Sequence, residues 1–128
     1  MKCSVEEVVF TSGGTESVNH AIRGAALIGG GKGGGHIITS AVEHVAVLKT
    51  CYYLRDNHDF QLTVLPVDEK GSVRVDDLKN AVRDNTKIIS IMLANNEVGT
   101  IQPINQLVKA AKSVNSNVLF HTDASQAV

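Results

Sequence analysis

Aromatic residues are scarce in this sequence, 4% of 128 residues, which leaves little to stack against nucleic-acid bases. An excess of either charge is also missing. Twelve Lys and Arg stand against thirteen Asp and Glu, a net charge of −1, so no global field draws in nucleic acid or an anionic membrane. Cysteine is limited to Cys3 and Cys51, too few for a disulfide scaffold and in keeping with a reducing compartment. No hydrophobic run approaches the ~18 residues of a membrane span. The opening Met1-Lys2-Cys3-Ser4-Val5-Glu6-Glu7 has no apolar centre for a secretory signal, and its acidic pair argues against a transit peptide. What is present is ordinary: 43% hydrophobic and 20% charged residues, at a length that suits one domain with its own core. The expectation is a soluble cytoplasmic chain, with the mitochondrion as the other compartment that fits. No nucleic-acid partner, membrane partner or metal site is expected.

Apolar runs at residues 8–10, 36–39, 62–65, 88–93 and 118–121 read as strands. Helical patterns lie between them. The first covers residues 15–28, with Val18, Ile22, Ala25 and Ala26 on one stripe. The second begins near Glu43 or His44 and places Val45, Leu48, Cys51 or Tyr52, and Arg55 at helical spacing. The third runs from Val75 to about Arg83, with Asp76 and Asp77 in the first turn, where they suit the helix dipole. The fourth follows Pro103 and turns Ile104, Leu107, Val108 and Ala111 inward. Strands alternating with helices predict an α/β fold, a three-layer α/β/α arrangement around a mostly parallel sheet. No internal repeat is visible.

Two glycine-rich segments have opposite meanings. Phe10-Thr11-Ser12-Gly13-Gly14-Thr15-Glu16-Ser17 leads from an apolar run into a helix, so backbone N–H groups, a threonine hydroxyl and a helix N-terminus converge where a phosphate would sit. An ordinary capped turn fits the same residues. Gly29-Gly30-Gly31-Lys32-Gly33-Gly34-Gly35 contains a literal G-x-G-x-x-G, but it follows a helix and precedes a strand, the reverse of a dinucleotide fingerprint. It also lacks the Ser or Thr that must follow the lysine of a P-loop, and reads as a flexible connection.

Polar residues collect where the strands end. Gly13, Gly14 and Thr15 follow the first apolar run, Glu43-His44 the second, Asn95-Asn96-Glu97 the fourth and Asp123 the last. Ligands of open parallel sheets bind outside the carboxyl ends of the strands, so four segments deliver chemistry to one rim. A phosphate cradle, an imidazole, amides and a carboxylate suit a phosphorylated, cationic aromatic ligand. An Asp beneath a pyridine nitrogen would hold it protonated, and an imidazole would stack on the ring and move protons. That set describes pyridoxal phosphate. Each residue has a plainer role open to it: His44 as a helix flank, Asp123 as an N-cap, Asn95 and Asn96 as a turn completed by Gly99. His121 reads as a strand residue without a catalytic role, and Glu97 as a residue that orients its loop.

Thr11-Ser12-Gly13-Gly14-Thr15-Glu16-Ser17, Thr39-Ser40-Ala41-Val42-Glu43-His44, Ile91-Met92-Leu93-Ala94-Asn95-Asn96-Glu97-Val98-Gly99 and His121-Thr122-Asp123-Ala124-Ser125-Gln126-Ala127 together resemble the cysteine desulfurase and selenocysteine lyase family. That family belongs to the fold-type I, class V aminotransferase-like enzymes. The resemblance covers essentially the whole chain. It implies pyridoxal 5′-phosphate as cofactor, with Gly14 and Thr15 at the phosphate and His44 stacked on the ring as the catalytic group. Asn96 and Gln126 would sit near the ring hydroxyl, and Asp123 at the pyridinium nitrogen. It further implies removal of sulfur or selenium from L-cysteine or L-selenocysteine to give L-alanine and an enzyme-bound persulfide. The partners implied are a homodimeric second copy and sulfur or selenium acceptor proteins, as in iron–sulfur cluster supply. Residues 1–128 are expected to be the central part of the cofactor-binding large domain. The family's N-terminal segment, its Schiff-base lysine and reactive cysteine, and its C-terminal small domain have no counterpart in these residues. Lys109 and Lys112 fall in an earlier helix, and Cys51 reads as inert packing. This stretch alone is therefore expected to be inactive. Another class V enzyme, or a noncatalytic binding or scaffold remnant, are the alternative readings.

Overall fold

A computed structural model describes residues 3–28 and 34–127. Strands β1 (His36–Ser40), β2 (Gln61–Leu65), β3 (Thr86–Ser90) and β4 (Leu119–His121) form one sheet of order β2-β1-β3-β4, and every pairing is parallel. The helices are α1 (Gly14–Leu27), α2 (Val45–Asn57), α3 (Val75–Ala81) and α4 (Ile104–Val114). Successive strand residues point to opposite faces, and the core divides accordingly. Ile37 and Ile88 pack with Val18, Ile22, Val47 and Leu54 of α1 and α2. Ile38 and Ile89 pack with Leu78, Leu107 and Ala111 of α3 and α4. Each large aliphatic side chain buried this way contributes about 1.5–3 kcal/mol. The result is the three-layer α/β/α arrangement expected from the alternation.

All five residues of β1 are buried, which explains why the run lacks polar alternation. Its one imidazole, His36, lies between two neighbouring strands, 3.0 Å from Thr86 Oγ1 through Nδ1 and 2.7 Å from Thr63 Oγ1 through Nε2. Burial, reinforced by the charge of Arg83, pushes its pKa down to about 4.

Two expectations need correction. The run Val8, Val9 and Phe10 is not a strand: the three side chains are 47%, 63% and 95% exposed, and neither edge of the sheet pairs with them among the described residues. A parallel strand exists only through its neighbour's ladder. The buried face of α2 is Ala46, Val47, Thr50, Cys51 and Leu54, rotated from the expected stripe, so that Val45 and Arg55 face outward. Helix α4 follows Pro103 as expected, with Pro103 at its N-cap. Of the glycine run at 29–35, residues 29–33 lie outside the described residues.

Candidate functional site

The strand order makes β1 and β3 neighbours whose connections leave in opposite directions along the sheet, to β2 on one side and β4 on the other. A crevice forms at such a switch point beyond the carboxyl ends of the strands. A cleft of about 300 Å³ lies there, lined by Gly14, Thr15, Val18, His44, Ala46, Met92, Ala94, Asn96, Asp123, Ser125 and Gln126. All six residues singled out in the sequence, Gly14, Thr15, His44, Asn96, Asp123 and Gln126, are therefore brought to one cavity.

Helix α1 contributes its N-terminus. Gly13 at the N-cap supplies no side-chain cap, so the orphan N–H groups of the first turn remain available to a ligand at the positive end of the helix dipole. Gly14 is small for a stated reason. A Cβ there would stand 3.2 Å from Ser125 Oγ, and Ser125 cannot easily yield, because its hydroxyl donates to Asp123 Oδ1 at 2.7 Å and its backbone N–H to the same oxygen at 3.0 Å.

His44 both caps α2 and lines the cleft: its Nδ1 accepts from Ala46 N at 3.1 Å. That bond leaves the proton of the neutral ring on Nε2. Capping and ligand binding are thus compatible uses of one side chain. The two asparagines divide. Asn95 is the turn residue, with Oδ1 accepting from Glu97 N and Val98 N, both at 2.9 Å, and Nδ2 donating to Val42 O at 3.0 Å. Gly99 completes that loop at φ 77°. Asn96, exposed, lines the cleft. His121 stays in β4, its Nδ1 2.9 Å from Ser90 Oγ, and burial lowers its pKa. Glu97 holds its loop through its backbone N–H rather than its carboxylate.

The sequence places Glu43 at the rim and assigns it no role. It is buried, and its Oε1 accepts from Ser40 Oγ at 2.5 Å and from Met92 N at 2.9 Å. Burial is the main cause that pushes its pKa up to about 7, with the charge of Asp123 adding to it. A carboxylate directly before a rim histidine was the available signal. For Ser125 the bonds to Asp123 are local, whereas its close approach to Gly14 is a contact across space that no local pattern signals.

No lysine lines the cleft among the described residues. The Cys51 thiol is buried and pushed up to about 12, chiefly by burial and then by Glu43.

The comparisons with known proteins agree with one another. The chain is 55% identical to the cysteine desulfurase IscS of Methanosarcina thermophila over 95% of its own length and 29% of that protein. A NifS-like protein of known structure superposes with a TM-score of 0.89 at 41% identity, over 96% of this chain and 33% of that one. SspA, solved in complex with cysteine, gives a TM-score of 0.84 at 40% identity, over 93% of this chain and 33% of that one. The chain thus spans about a third or less of the length of these relatives. The family model for Aminotransferase class-V matches residues 2–128, and the chain belongs to the class-V aminotransferase family.

Proposed function

We propose that these residues form the phosphate- and ring-binding part of a pyridoxal-phosphate site in a cysteine desulfurase. The observation that carries the reading is the donor set of the cleft: an uncapped helix N-terminus at Gly14 and Thr15, an imidazole at His44, amides at Asn96 and Gln126, and a carboxylate at Asp123. The residues fit the cofactor, because the close approach of Gly14 to Ser125 keeps the cradle free of a Cβ. Pyridoxal phosphate supplies an electron sink when bound.

The chain's own groups do the rest. First-turn N–H groups of α1 and the Thr15 hydroxyl bind the phosphate, helped by the dipole. Asp123 has Oδ1 committed to Ser125, which orients the carboxylate and leaves Oδ2 for the ring nitrogen. Asn96 and Gln126 bind the ring oxygen. His44, fixed by its bond from Ala46 N, holds or releases a proton at Nε2. Asn95 has no part in the chemistry; it positions Asn96. Overall, L-cysteine and a protein thiol would give L-alanine and a persulfide, and the inert Cys51 is not that thiol. A selenocysteine substrate, a homodimeric assembly and a sulfur-acceptor protein belong to the same proposal.

The test is to titrate the full-length protein with pyridoxal phosphate, then assay alanine and sulfide from L-cysteine beside alanine and selenide from L-selenocysteine. Cofactor uptake with alanine release supports the reading. Uptake without alanine from either substrate points to another class-V reaction, and no uptake overturns the proposal. Asp123→Asn should weaken cofactor binding about 10- to 100-fold, the worth of a charged hydrogen bond of roughly 1.5–3 kcal/mol.

A further inference from the structure

We propose that Glu43 is a positioning residue of this site, a buried carboxylic acid that ties the loop bearing His44 to the loop bearing Asn96 and leaves Asp123 as the one carboxylate, among the described residues, presented to the cofactor ring. The proposal rests on the pyridoxal-phosphate reading and deepens it.

The geometry begins at the switch point. The His44 loop leaves β1 and the Asn96 loop leaves β3, and two bonds join them: Met92 N to Glu43 Oε1 at 2.9 Å and Asn95 Nδ2 to Val42 O at 3.0 Å. Ser40 Oγ, at the fully buried end of β1, donates to the same Glu43 oxygen at 2.5 Å. Glu43 is 7% exposed, and its Oε2 is buried with no hydrogen-bond partner among the described residues. Both donors therefore converge on one oxygen, while the other has none. A carboxylate would leave charge on that bare oxygen, at a large desolvation cost. A carboxylic acid fits the same pattern, with Oε1 as the carbonyl that accepts both bonds and Oε2 as the hydroxyl.

The titratable groups that face it agree. Asp123, beyond β4, raises the Glu43 pKa by repulsion. Cys51, on α2, is itself raised by Glu43, and His44 is the next residue in the chain. With Glu43 neutral, the negative charge opposite a protonated ring stays on Asp123. The folded pKa of about 7 lies above the ordinary 4.5. Glu43 thus contributes stability that is fully present below about pH 4.5 and lost as pH rises through about 7.

Glu43→Gln and Glu43→Ala in the full-length protein test this with two measurements. One is apoprotein titration with pyridoxal phosphate followed by cofactor absorbance. The other is the apoprotein unfolding midpoint at about pH 4 and about pH 8.5. Glu43→Ala should lose about tenfold or more in cofactor affinity with its far-ultraviolet circular dichroism unchanged, since two buried donors lose their acceptor. Glu43→Gln should restore it, because an amide mimics the neutral acid. Its midpoint should match wild type at the lower pH and exceed it at the higher, where only wild type buries an anion. Wild-type affinity in Glu43→Ala, or a Gln variant whose difference from wild type is the same at both pH values, would overturn the proposal. Should Glu43→Ala not fold, the pH-dependent difference of Glu43→Gln decides. A wild type that takes up no cofactor sinks the functional reading and the cofactor half of this proposal with it, whereas a flat Gln difference sinks the buried acid alone.

Discussion

Asn95 and Asn96 are the same residue type one position apart, and the fold separates them by the partners each side chain finds. Asn95 spends its oxygen on two backbone N–H groups and its amide on Val42 O, whereas Asn96 lines the cleft. Glu43 and His44 divide in the same way, the first buried beneath the site and the second at its wall. Cys51 and Cys3 make a third contrast, one buried and one exposed. A thiol held near 12 presents almost no thiolate at neutral pH. A maleimide or disulfide reagent should therefore label Cys3 in the native protein and leave Cys51 unlabelled until denaturant is added. Rapid native labelling of Cys51 would contradict the burial on which its exclusion as sulfur acceptor depends.

At the scale of elements, α2 shows how a correct helix can be assigned the wrong face. Val45, Leu48, Cys51 or Tyr52, and Arg55 share a helical spacing, but so do Val47, Cys51 and Leu54, and it is the second set that meets Ile37 and Ile88. Periodicity defines a helix without saying which of two comparable stripes the sheet will cover. Leu54→Ala should consequently cost about 2–5 kcal/mol in urea unfolding through loss of burial and a cavity. Arg55→Ala should stay within about 0.5 kcal/mol, because the Arg55–Asp56 pair is exposed. Equal costs would mean that the face has been misassigned. The end of β3 carries a similar lesson. The ladder proper stops at Ser90, yet Ile91 N and Leu93 N still donate to His121 O and Asp123 O at 3.1 and 2.9 Å. That continued register carries Asp123 alongside the Met92–Asn96 segment, and so into the cleft.

For the whole molecule, two buried titratable groups act on stability with opposite sign. His36, held down to about 4 from an ordinary 6.5, contributes stability present above about 6.5 and lost as pH falls through about 4. Glu43, held up to about 7 from 4.5, contributes stability lost as pH rises through about 7. Between roughly pH 4.5 and 6.5 their effects oppose each other. Relative to wild type, His36→Gln should therefore become less stable as pH rises through this window, and Glu43→Gln less stable as pH falls. Thermal midpoints collected at half-unit pH steps would show diverging differences; two parallel difference curves would refute the assignment.

Much of this protein is determined by local sequence. Runs such as Ile37-Ile38 and Ile88-Ile89 specify strands buried on both faces, the intervening periodic stretches specify helices, and the turns after the strands place His44, Asn96 and Asp123 at one rim, because parallel strands all end on the same side; Gly14 reaches that rim through the packing of α1. The tertiary structure decided what depends on contacts between distant residues. It left Val8, Val9 and Phe10 without a ladder, since a strand needs a partner that no local pattern supplies. It chose the buried stripe of α2, made Gly14 a site of close approach through Ser125, and buried Glu43 between Ser40 and Met92. Burial and hydrogen-bond partners are properties of assembled neighbours, so the proton on Glu43 is legible only once β1 and β3 lie side by side.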